Sequence, residues 1–271
     1  VEEGSADIGI VGLDRFSEQR NDSSQAVLIM EDLQYSKCEL TVAVPTSWID
    51  VDCMNDLVDV SLEFRQRKKT LRIATKYPKL VRSFFTKHGI SYFNLIQASG
   101  ALEISPQMGY SDMITDITST GSTLRENHLK PLIDGTILSS QACLIANPSL
   151  TKRSSIMTKT VKEILDRIEA SLNARSFYRI TVNIKGKSEE TIVSKLKNKK
   201  VLDGLFGPTI SNVYPQDGGS VFSVTLMIQR SDLLDAVNEF RSIGGYSIAV
   251  SQPDYLFYAT STSFELFQSY F

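Results

Sequence analysis

Short apolar runs that end at glycine or proline recur along the first half of the chain. Ala6–Asp14 (ADIGIVGLD) predicts a buried strand that runs into a glycine turn, and Cys38–Pro45 (CELTVAVP) predicts a strand that proline stops. Leu71–Ala74 predicts a strand followed by a helix, because the next apolar side chains recur at helical spacing until Gly89. Strands that alternate with helices favour α/β units with a largely parallel sheet.

Two further runs extend this pattern. Ser91–Gly100 predicts another strand and turn, and residues 135–148 (GTILSSQACLIANP) predict one more strand. Met157–Arg175 then shows the clearest amphipathic helix of the chain. One stripe of that helix holds its apolar residues Val161, Ile164, Leu165, Ile168 and Leu172.

After this helix the order of predicted elements changes. The pattern predicts four strands, which are FYRITVNIK, GPTISNVY, SVFSVTLMIQ and YSIAVSQ. It also predicts two helices, SEETIVSKLKNKK after the first strand and RSDLLDAVNEFRSIGG after the third. This βαββαβ order is typical of the ferredoxin-like arrangement, and we place a domain boundary near Asn173–Ser176. The aromatic-rich tail, PDYLFYATSTSFELFQSYF, predicts a strand and packing arm, because so many aromatic rings favour burial.

Composition and charge narrow the classes of function. The 271 residues are 42% hydrophobic and 22% charged with a formal net charge of -2, which gives no general field for nucleic acid or an anionic membrane. RQRKK at Arg65–Lys69 is one short basic run and predicts a solvated loop. Cys38, Cys53 and Cys143 are scattered and predict reduced thiols rather than a disulfide framework. No apolar run has the length of a membrane span, and VEEGSADIGIVGLD opens in mid-fold, so we expect a missing upstream segment.

One loop carries the strongest chemical signal. Thr120-Gly121-Ser122-Thr123 follows an apolar, β-branched run and precedes a predicted helix, so several backbone N–H groups can converge on one point. Such a loop suits a phosphate group, and Asp116 near the strand end would reach ribose hydroxyls or Mg²⁺. Taken alone, the loop fits an ordinary helix cap better.

Two other strand ends also carry an acid. Glu103 follows the turn at Gly100, and Gly12-Leu13-Asp14 follows the first strand. An acid that stabilises a helix start explains either turn alone. Because ligands gather at the carboxyl ends of parallel strands, the three turns together favour a polar ligand site.

These residues also resemble a known family. Four segments occur in the same order as in the ATP phosphoribosyltransferases of histidine biosynthesis. They are GSADIGIVGLD, LRIATKYP, SGALEISPQMGYSDMITDITSTGSTLRENHL and SQACLIANP. Two later segments, GPTISNVY and IGGYSIAVS, resemble the C-terminal regulatory domain of the long form of that family. The amino-acid sequence of the chain most resembles the plant members of the family. The resemblance covers essentially the whole chain, and its most specific part is Glu103, Asp116 and TGSTL together.

The resemblance implies an α/β fold with a two-lobed catalytic part, similar to periplasmic binding proteins, and a ferredoxin-like, ACT-like third domain. We expect catalytic lobe I at residues 1–68 and 134–174, with the N-terminal part of this lobe missing from the chain. We expect catalytic lobe II, with the phosphate loop, at residues 69–133 and the regulatory domain at residues 175–271. The Pro-Lys-Gly-Arg-like segment that helps the family bind phosphates is not in this chain.

The implied reaction is transfer of phosphoribosyl from phosphoribosyl pyrophosphate (PRPP) to N1 of ATP, with Mg²⁺ and release of pyrophosphate. By this resemblance Glu103 and Asp116 are catalytic and hold the ribose hydroxyls. The 5-phosphate would lie on Thr118, Ser119, Thr120, Gly121, Ser122 and Thr123. ATP would contact Gly12, Leu13, Asp14, Arg72, Thr75 and Lys76, although Lys76 fits a solvated helix-start lysine equally well. No protein ligand is assigned to the metal.

Histidine is the feedback inhibitor that the resemblance implies, on Thr209, Ser211, Leu226 and Ser247, which are otherwise ordinary strand residues. AMP is a further candidate ligand, and the family suggests a homo-oligomer between dimer and hexamer. The resemblance to plant members implies that the protein is located in the plastid stroma, with the bacterial cytoplasm as the alternative location. A non-catalytic, two-lobed module that binds or senses a small solute is the alternative function. It would share the turns but would not need Glu103, Asp116 and the loop together.

Overall fold

Strands and helices alternate through the first half of the chain. The computed structural model describes residues 1–21, 23–97, 100–147, 149, 155–197, 199–215 and 218–270, and the chain divides into the units Val1–Ser154 and Ser155–Ser269. The described strands of the first unit are β1 Ile8–Gly12, β2 Val27–Met30, β3 Cys38–Pro45, β4 Leu71–Thr75, β5 Phe93–Gln97, β6 Met113–Thr118, β7 Leu129–Ser140 and β8 Ala142–Ala146. Its helices are α1 Leu13–Gln19, α2 Met54–Gln66, α3 Pro78–Lys87 and α4 Ser122–Glu126.

These strands form two sheets. Sheet A has the order β1-β8-β2 and is antiparallel, and sheet B has the order β5-β4-β6-β3-β7. In sheet B, β4 is parallel to β5 and β6, whereas β3 is antiparallel to β6 and β7. The prediction of a largely parallel sheet is therefore wrong. The strand β3 inserts between two strands that are distant in sequence, and local alternation of strands and helices does not determine such a pairing.

Both faces of sheet B are packed, and this places the residues of the central loop. On one face Ile73 packs with Val81 and Phe85 of α3, which begins at Pro78 and whose apolar spacing the sequence predicted. On the other face Ile114 packs with Leu124 of α4. Because side chains alternate along a strand, Asp116 lies on the same face of β6 as Ile114.

The strand order departs from the predicted lobe boundaries. Sheet B contains β3, which we placed in lobe I, and β7 crosses the predicted boundary between residues 133 and 134. Residues 135–148, predicted as one strand, are divided at Gln141, which joins sheet B to sheet A. We therefore propose the lobes with sheets A and B as their cores.

The second unit contains α5 Ser155–Arg175, which the sequence placed in lobe I, and a four-stranded antiparallel sheet C among its described residues. Its remaining elements are β9 Phe177–Lys185, α6 Glu189–Leu196, β10 Thr209–Val213, β11 Val221–Gln229, α7 Leu233–Ser242, β12 Gly245–Ser251 and α8 Thr262–Ser269. The order β10-β11-β9-β12 confirms the predicted ferredoxin-like arrangement.

The aromatic tail contains α8 rather than the predicted strand. The helix buries Phe267 fully, although Tyr255 and Phe257 stay more than half exposed. Of the described helices, none combines the length and apolar character that a membrane crossing requires.

Candidate active site

The loop between β6 and α4 is folded back on itself. Gly121 has a φ of 70° and precedes the first residue of α4, a left-handed conformation that costs glycine little. The Gly121 N–H donates to Oγ1 of Thr118 at 2.9 Å, and the hydroxyls of Thr120 and Ser122 lie 3.0 Å apart. The loop therefore presents several hydroxyl groups to a ligand. The Gly121 N–H, one of the amides predicted to bind phosphate, already donates a hydrogen bond within the loop.

The predicted catalytic pair and the predicted phosphate loop line one pocket. This cavity of about 130 Å³ is lined by Glu103, Asp116, Leu124 and the run Ile117–Thr123. The short 3-10 turn Leu102–Ile104 supplies Glu103, and its Leu102 packs with Leu124 beneath the loop. The structure thus brings together two of the three predicted turns, whereas Gly12–Asp14 does not line this pocket.

Asp116 is the carboxyl group whose proton affinity this pocket changes. Burial raises the pKa of Asp116, and the negative charge of Glu103 raises it further. The Ile117 N–H, which donates to Oδ1 at 2.8 Å, and the positive charge of Lys76 act in the opposite direction. The pocket therefore contains an acid that ionises less readily than an exposed aspartate, which is common at functional sites.

Arg125 is a cation beside the loop that sequence reasoning missed. Its Nη1 lies 3.3 Å from the point where a side chain on Gly121 would begin. The signal was available, because Arg125 follows Gly121 by one helical turn in TGSTLR. The loop thus has a guanidinium within reach of an anion bound beside Gly121.

The turn after β1 is occupied by a buried hydrogen-bond network. Asp14 is 4% exposed; its Oδ2 accepts from the Tyr77 hydroxyl at 2.7 Å and its Oδ1 from the Ser140 hydroxyl at 2.8 Å. A Cβ on Gly12 would lie 2.3 Å from Asp14 Oδ1, so this close approach requires glycine. Leu13 packs in a small apolar core, so the turn leaves only its backbone and Gly12 for contact with a ligand.

The contacts predicted on β4 and directly after it lie at opposite ends of the strand. Thr75 is fully buried, and its Oγ1 accepts from the Tyr77 N–H at 2.9 Å, while the exposed Lys76 acts on the charge of Asp116. Arg72 lies at the start of the strand, roughly 10 Å from Thr75 at strand spacing. Its Nη2 donates to Asp112 Oδ1 at 2.8 Å and its Nη1 to the Gly109 carbonyl at 2.7 Å. The structure does not bring Arg72 to the pocket, because the Asp112 ion pair holds it at the opposite end of the strand.

The four residues predicted to bind histidine do not meet within one copy of sheet C. Thr209 and Ser211 pair with Thr225 and Ser223 on one face of the sheet, whereas Leu226 is 2% exposed in the core on the other face. Ser247 has a φ of 49° at an irregularity in β12, on the opposite edge from β10.

The side chains near the loop offer oxygen ligands for a metal. Among the described residues, no group of three or more His, Cys, Asp or Glu side chains could hold a metal ion. Glu103 and Asp116 are a two-carboxylate set, which suits a cation that also binds substrate phosphates and water.

Comparison with known proteins gives the context for this geometry. The family model "HisG: ATP phosphoribosyltransferase" matches residues 1–170, and "HisG, C-terminal domain" matches residues 174–252. "ATP phosphoribosyltransferase 1, chloroplastic" of Arabidopsis thaliana is 34% identical over 94% of this chain, which spans 63% of the length of that relative. "ATP phosphoribosyltransferase" of Mesorhizobium japonicum is 44% identical over 64% of this chain and 74% of its own length.

Among solved structures, "ATP phosphoribosyl transferase (HisG:HisZ) complex from Thermotoga maritima" is similar with a TM-score of 0.46 and 26% identity. That match covers 60% of this chain and 68% of the other. The two family models together account for residues 1–170 and 174–252, and the pocket around Gly121 lies inside the first of these ranges. On this evidence the chain belongs to the ATP phosphoribosyltransferase family.

Proposed function

We propose that the protein transfers the phosphoribosyl group of PRPP to N1 of ATP and releases pyrophosphate, the first step of histidine biosynthesis. The observation that carries this proposal is the single pocket that Glu103, Asp116 and the hydroxyl-rich loop share in a chain of this family. In the reaction the N1 lone pair forms a bond to the anomeric carbon while the carbon–oxygen bond to pyrophosphate breaks. Pyrophosphate leaves with that electron pair, so no covalent enzyme nucleophile is required.

The loop and the two acids would have different tasks. Hydroxyls and amides of Thr118–Thr123 would hold the 5-phosphate, with Arg125 adding positive charge beside Gly121. The carboxylates of Glu103 and Asp116 would hold the ribose hydroxyls and favour the positive charge that develops on the sugar. On the ATP side we propose Gly12, Leu13, Thr75 and Lys76, with Asp14 acting within its hydrogen-bond network. Arg72 remains the least supported of the predicted contacts.

Mg²⁺ fits this donor set as a substrate-borne cation. Glu103 and Asp116 would bind it together with phosphate oxygens, and the bound ion would neutralise charge on the pyrophosphate.

Regulation, assembly and location are part of the same proposal. Histidine would bind sheet C through Thr209 and Ser211, and residues such as Ser247 would have to come from a second copy of the chain. Removal of residues 177–271 from the full-length protein should then abolish histidine inhibition. We also propose AMP as a ligand, a homo-oligomer from dimer to hexamer and the plastid, since the Arabidopsis relatives are named as chloroplastic.

The proposal is tested by following the absorbance of the ribosylated nucleotide with the full-length protein, ATP, PRPP and Mg²⁺. Asp116→Asn and Glu103→Gln should lower kcat or raise the KM for PRPP, whereas Asp59→Asn on the exposed side of α2 should behave as the wild type. Absence of product from the wild-type protein, with binding of some other small solute, would favour the sensor module instead.

A further inference from the structure

A buried contact joins the two sheets of the first unit beside the proposed ATP site. Asp14 follows β1 of sheet A, whereas Tyr77 lies between β4 of sheet B and α3. The Tyr77 hydroxyl donates to Asp14 Oδ2 at 2.7 Å. Ser140, the last residue of β7, donates to the other oxygen and accepts from the Asp14 N–H at 3.0 Å. Both oxygens of the carboxylate are therefore engaged across the junction between sheets.

A second set of contacts fastens the helices that follow these turns. The Glu18 carboxylate of α1 accepts from the N–H groups of Lys79 and Leu80 at 2.8 Å and 3.0 Å, at the start of α3. In return the Lys79 ammonium donates to the carbonyls of Ser17 and Arg20 at the end of α1. Each helix caps the other, so we expect α1 and α3 to stay together when the hydroxyl of Tyr77 alone is removed.

Tyr77 is placed to set the relation between two predicted ATP contacts. Its N–H closes a tight turn onto Thr75 Oγ1. The exposed Lys76 lies within this turn, and its positive charge acts on Asp116. Its ring is 4% exposed and packs in the core of sheet B, and only its hydroxyl crosses to sheet A. The hydroxyl is thus separable from the packing role of the ring.

We infer that Tyr77 is a positioning residue for ATP: its hydroxyl fixes the turn Gly12–Asp14 of sheet A against the turn Thr75–Lys76 of sheet B. This inference rests on the proposed transferase function. The phosphate loop Thr118–Thr123 is held separately, by the hydrogen bond from the Gly121 N–H to Thr118 Oγ1 and by the packing of Leu124. Loss of the hydroxyl should therefore affect ATP and spare PRPP.

The test compares Tyr77→Phe with Tyr92→Phe, a tyrosine that is 43% exposed at the surface of the same unit, in the full-length protein. In Tyr77→Phe we expect the KM for ATP to rise about tenfold, the effect of losing one hydrogen bond to a charged group. The KM for PRPP should stay within about twofold of wild type. Ser140→Ala, which removes the other hydroxyl on Asp14, should show the same split between substrates. Equal changes in both KM values, or none, would overturn the inference.

Hydrogen exchange separates this inference from the proposed function. In Tyr77→Phe the amides of residues 12–16 should exchange faster than in wild type, while those of β4 keep their protection. If wild type makes no ribosylated ATP, the proposed function fails, and the exchange result still decides whether Tyr77 holds the turn. If wild type is active and exchange at residues 12–16 is unchanged in Tyr77→Phe, the inference alone is wrong.

Discussion

The carboxyl groups of Glu103 and Asp116 line the same pocket, and the negative charge of Glu103 adds to the rise in the pKa of Asp116. Burial is the larger cause of that rise. Folding therefore places a second carboxylate close enough to disfavour the ionised form of Asp116. A ligand that supplies hydroxyl donors or a cation at this point would relieve that repulsion, which suits a site for a ribose and Mg²⁺.

Asp116→Asn should raise the free energy of unfolding at pH 7 while it lowers transferase activity. The folded-state pKa of Asp116 lies above its ordinary value of 3.8, so the folded protein loses stability as the pH rises from 3.8, and the loss is complete once the pH exceeds the folded-state pKa. Asparagine carries no charge and can still accept the bond from the Ile117 N–H. The melting temperature of the variant should exceed that of wild type at pH 7, and the difference should vanish below pH 3.8, where Asp116 is protonated in both states.

Thermal unfolding between pH 3 and pH 7 measures this difference, with Asp59→Asn as a control in which an exposed acid is neutralised. A variant that is less stable than wild type at pH 7 would show that the Asp116 carboxylate stabilises the fold, contrary to the prediction.

Gly121→Ala should weaken PRPP binding and lower stability. A φ of 70° strains any residue with a Cβ by about 1–2 kcal/mol, and the new methyl would lie 3.3 Å from Arg125 Nη1. Relief of the strain would distort the loop where we place the 5-phosphate. Calorimetry with PRPP and Mg²⁺ measures the binding, and Gly100→Ala is the control, because among the described residues none beyond its chain neighbours has an atom within 4 Å of the added Cβ. Wild-type affinity in Gly121→Ala would remove the loop from the proposed site.

Arg72→Met should reduce stability without changing the KM for ATP. The Arg72–Asp112 pair is partly buried, with side-chain exposures of 40% and 16%, and two further carbonyls accept from the same guanidinium. Its loss should cost about 1–2 kcal/mol, the lower range for hydrogen bonds to charged groups. Arg67→Met, which breaks the exposed i,i+4 pair with Glu63, should cost less than about 0.5 kcal/mol. Chemical denaturation and steady-state kinetics measure both quantities, and a raised KM for ATP in Arg72→Met would restore the sequence-based assignment.

Local patterns explain why much of the fold was predictable. The strands β1 and β3 are apolar runs that end at glycine or proline, and the order of elements alone predicted sheet C. The pocket was also predictable, because Glu103, Asp116 and Gly121 follow one another closely in the sequence.

Contacts between residues that are distant in sequence account for the features that the sequence did not predict. The position of β3 between β6 and β7, and the bonds of Asp14 to residues 63 and 126 positions away, depend on tertiary packing that has no local period. The helix α2 was missed although Asp56 caps it by accepting from the Cys53 N–H at 2.9 Å, because its buried positions include Ser61 as well as apolar residues. Leu226 was placed with Thr209 and Ser211 by resemblance, and strand alternation puts it on the opposite face.

Glu169→Gln should release α8 from α5. The Glu169 carboxylate accepts from the Ser261 hydroxyl at 2.7 Å and from the N–H groups of Thr262 and Ser263 at the start of α8. Burial raises the pKa of Glu169, but these hydrogen bonds together lower it below its ordinary value of 4.5. The stabilisation is therefore complete above pH 4.5 and is lost as the pH falls through the folded-state pKa.

Glutamine presents a single oxygen, so the variant should lose about 1 kcal/mol, the usual contribution of a helix N-cap. Hydrogen exchange of residues 262–269 should be faster than in wild type at pH 7, and the two proteins should converge at low pH, where the wild-type carboxyl is protonated. Glu163→Gln on the same helix is the control, because its side chain is 58% exposed and forms a long ion pair with Lys159 at 4.0 Å. If α8 keeps its protection in Glu169→Gln, the packing of Phe267 alone holds the helix, and Glu169 does not set its stability.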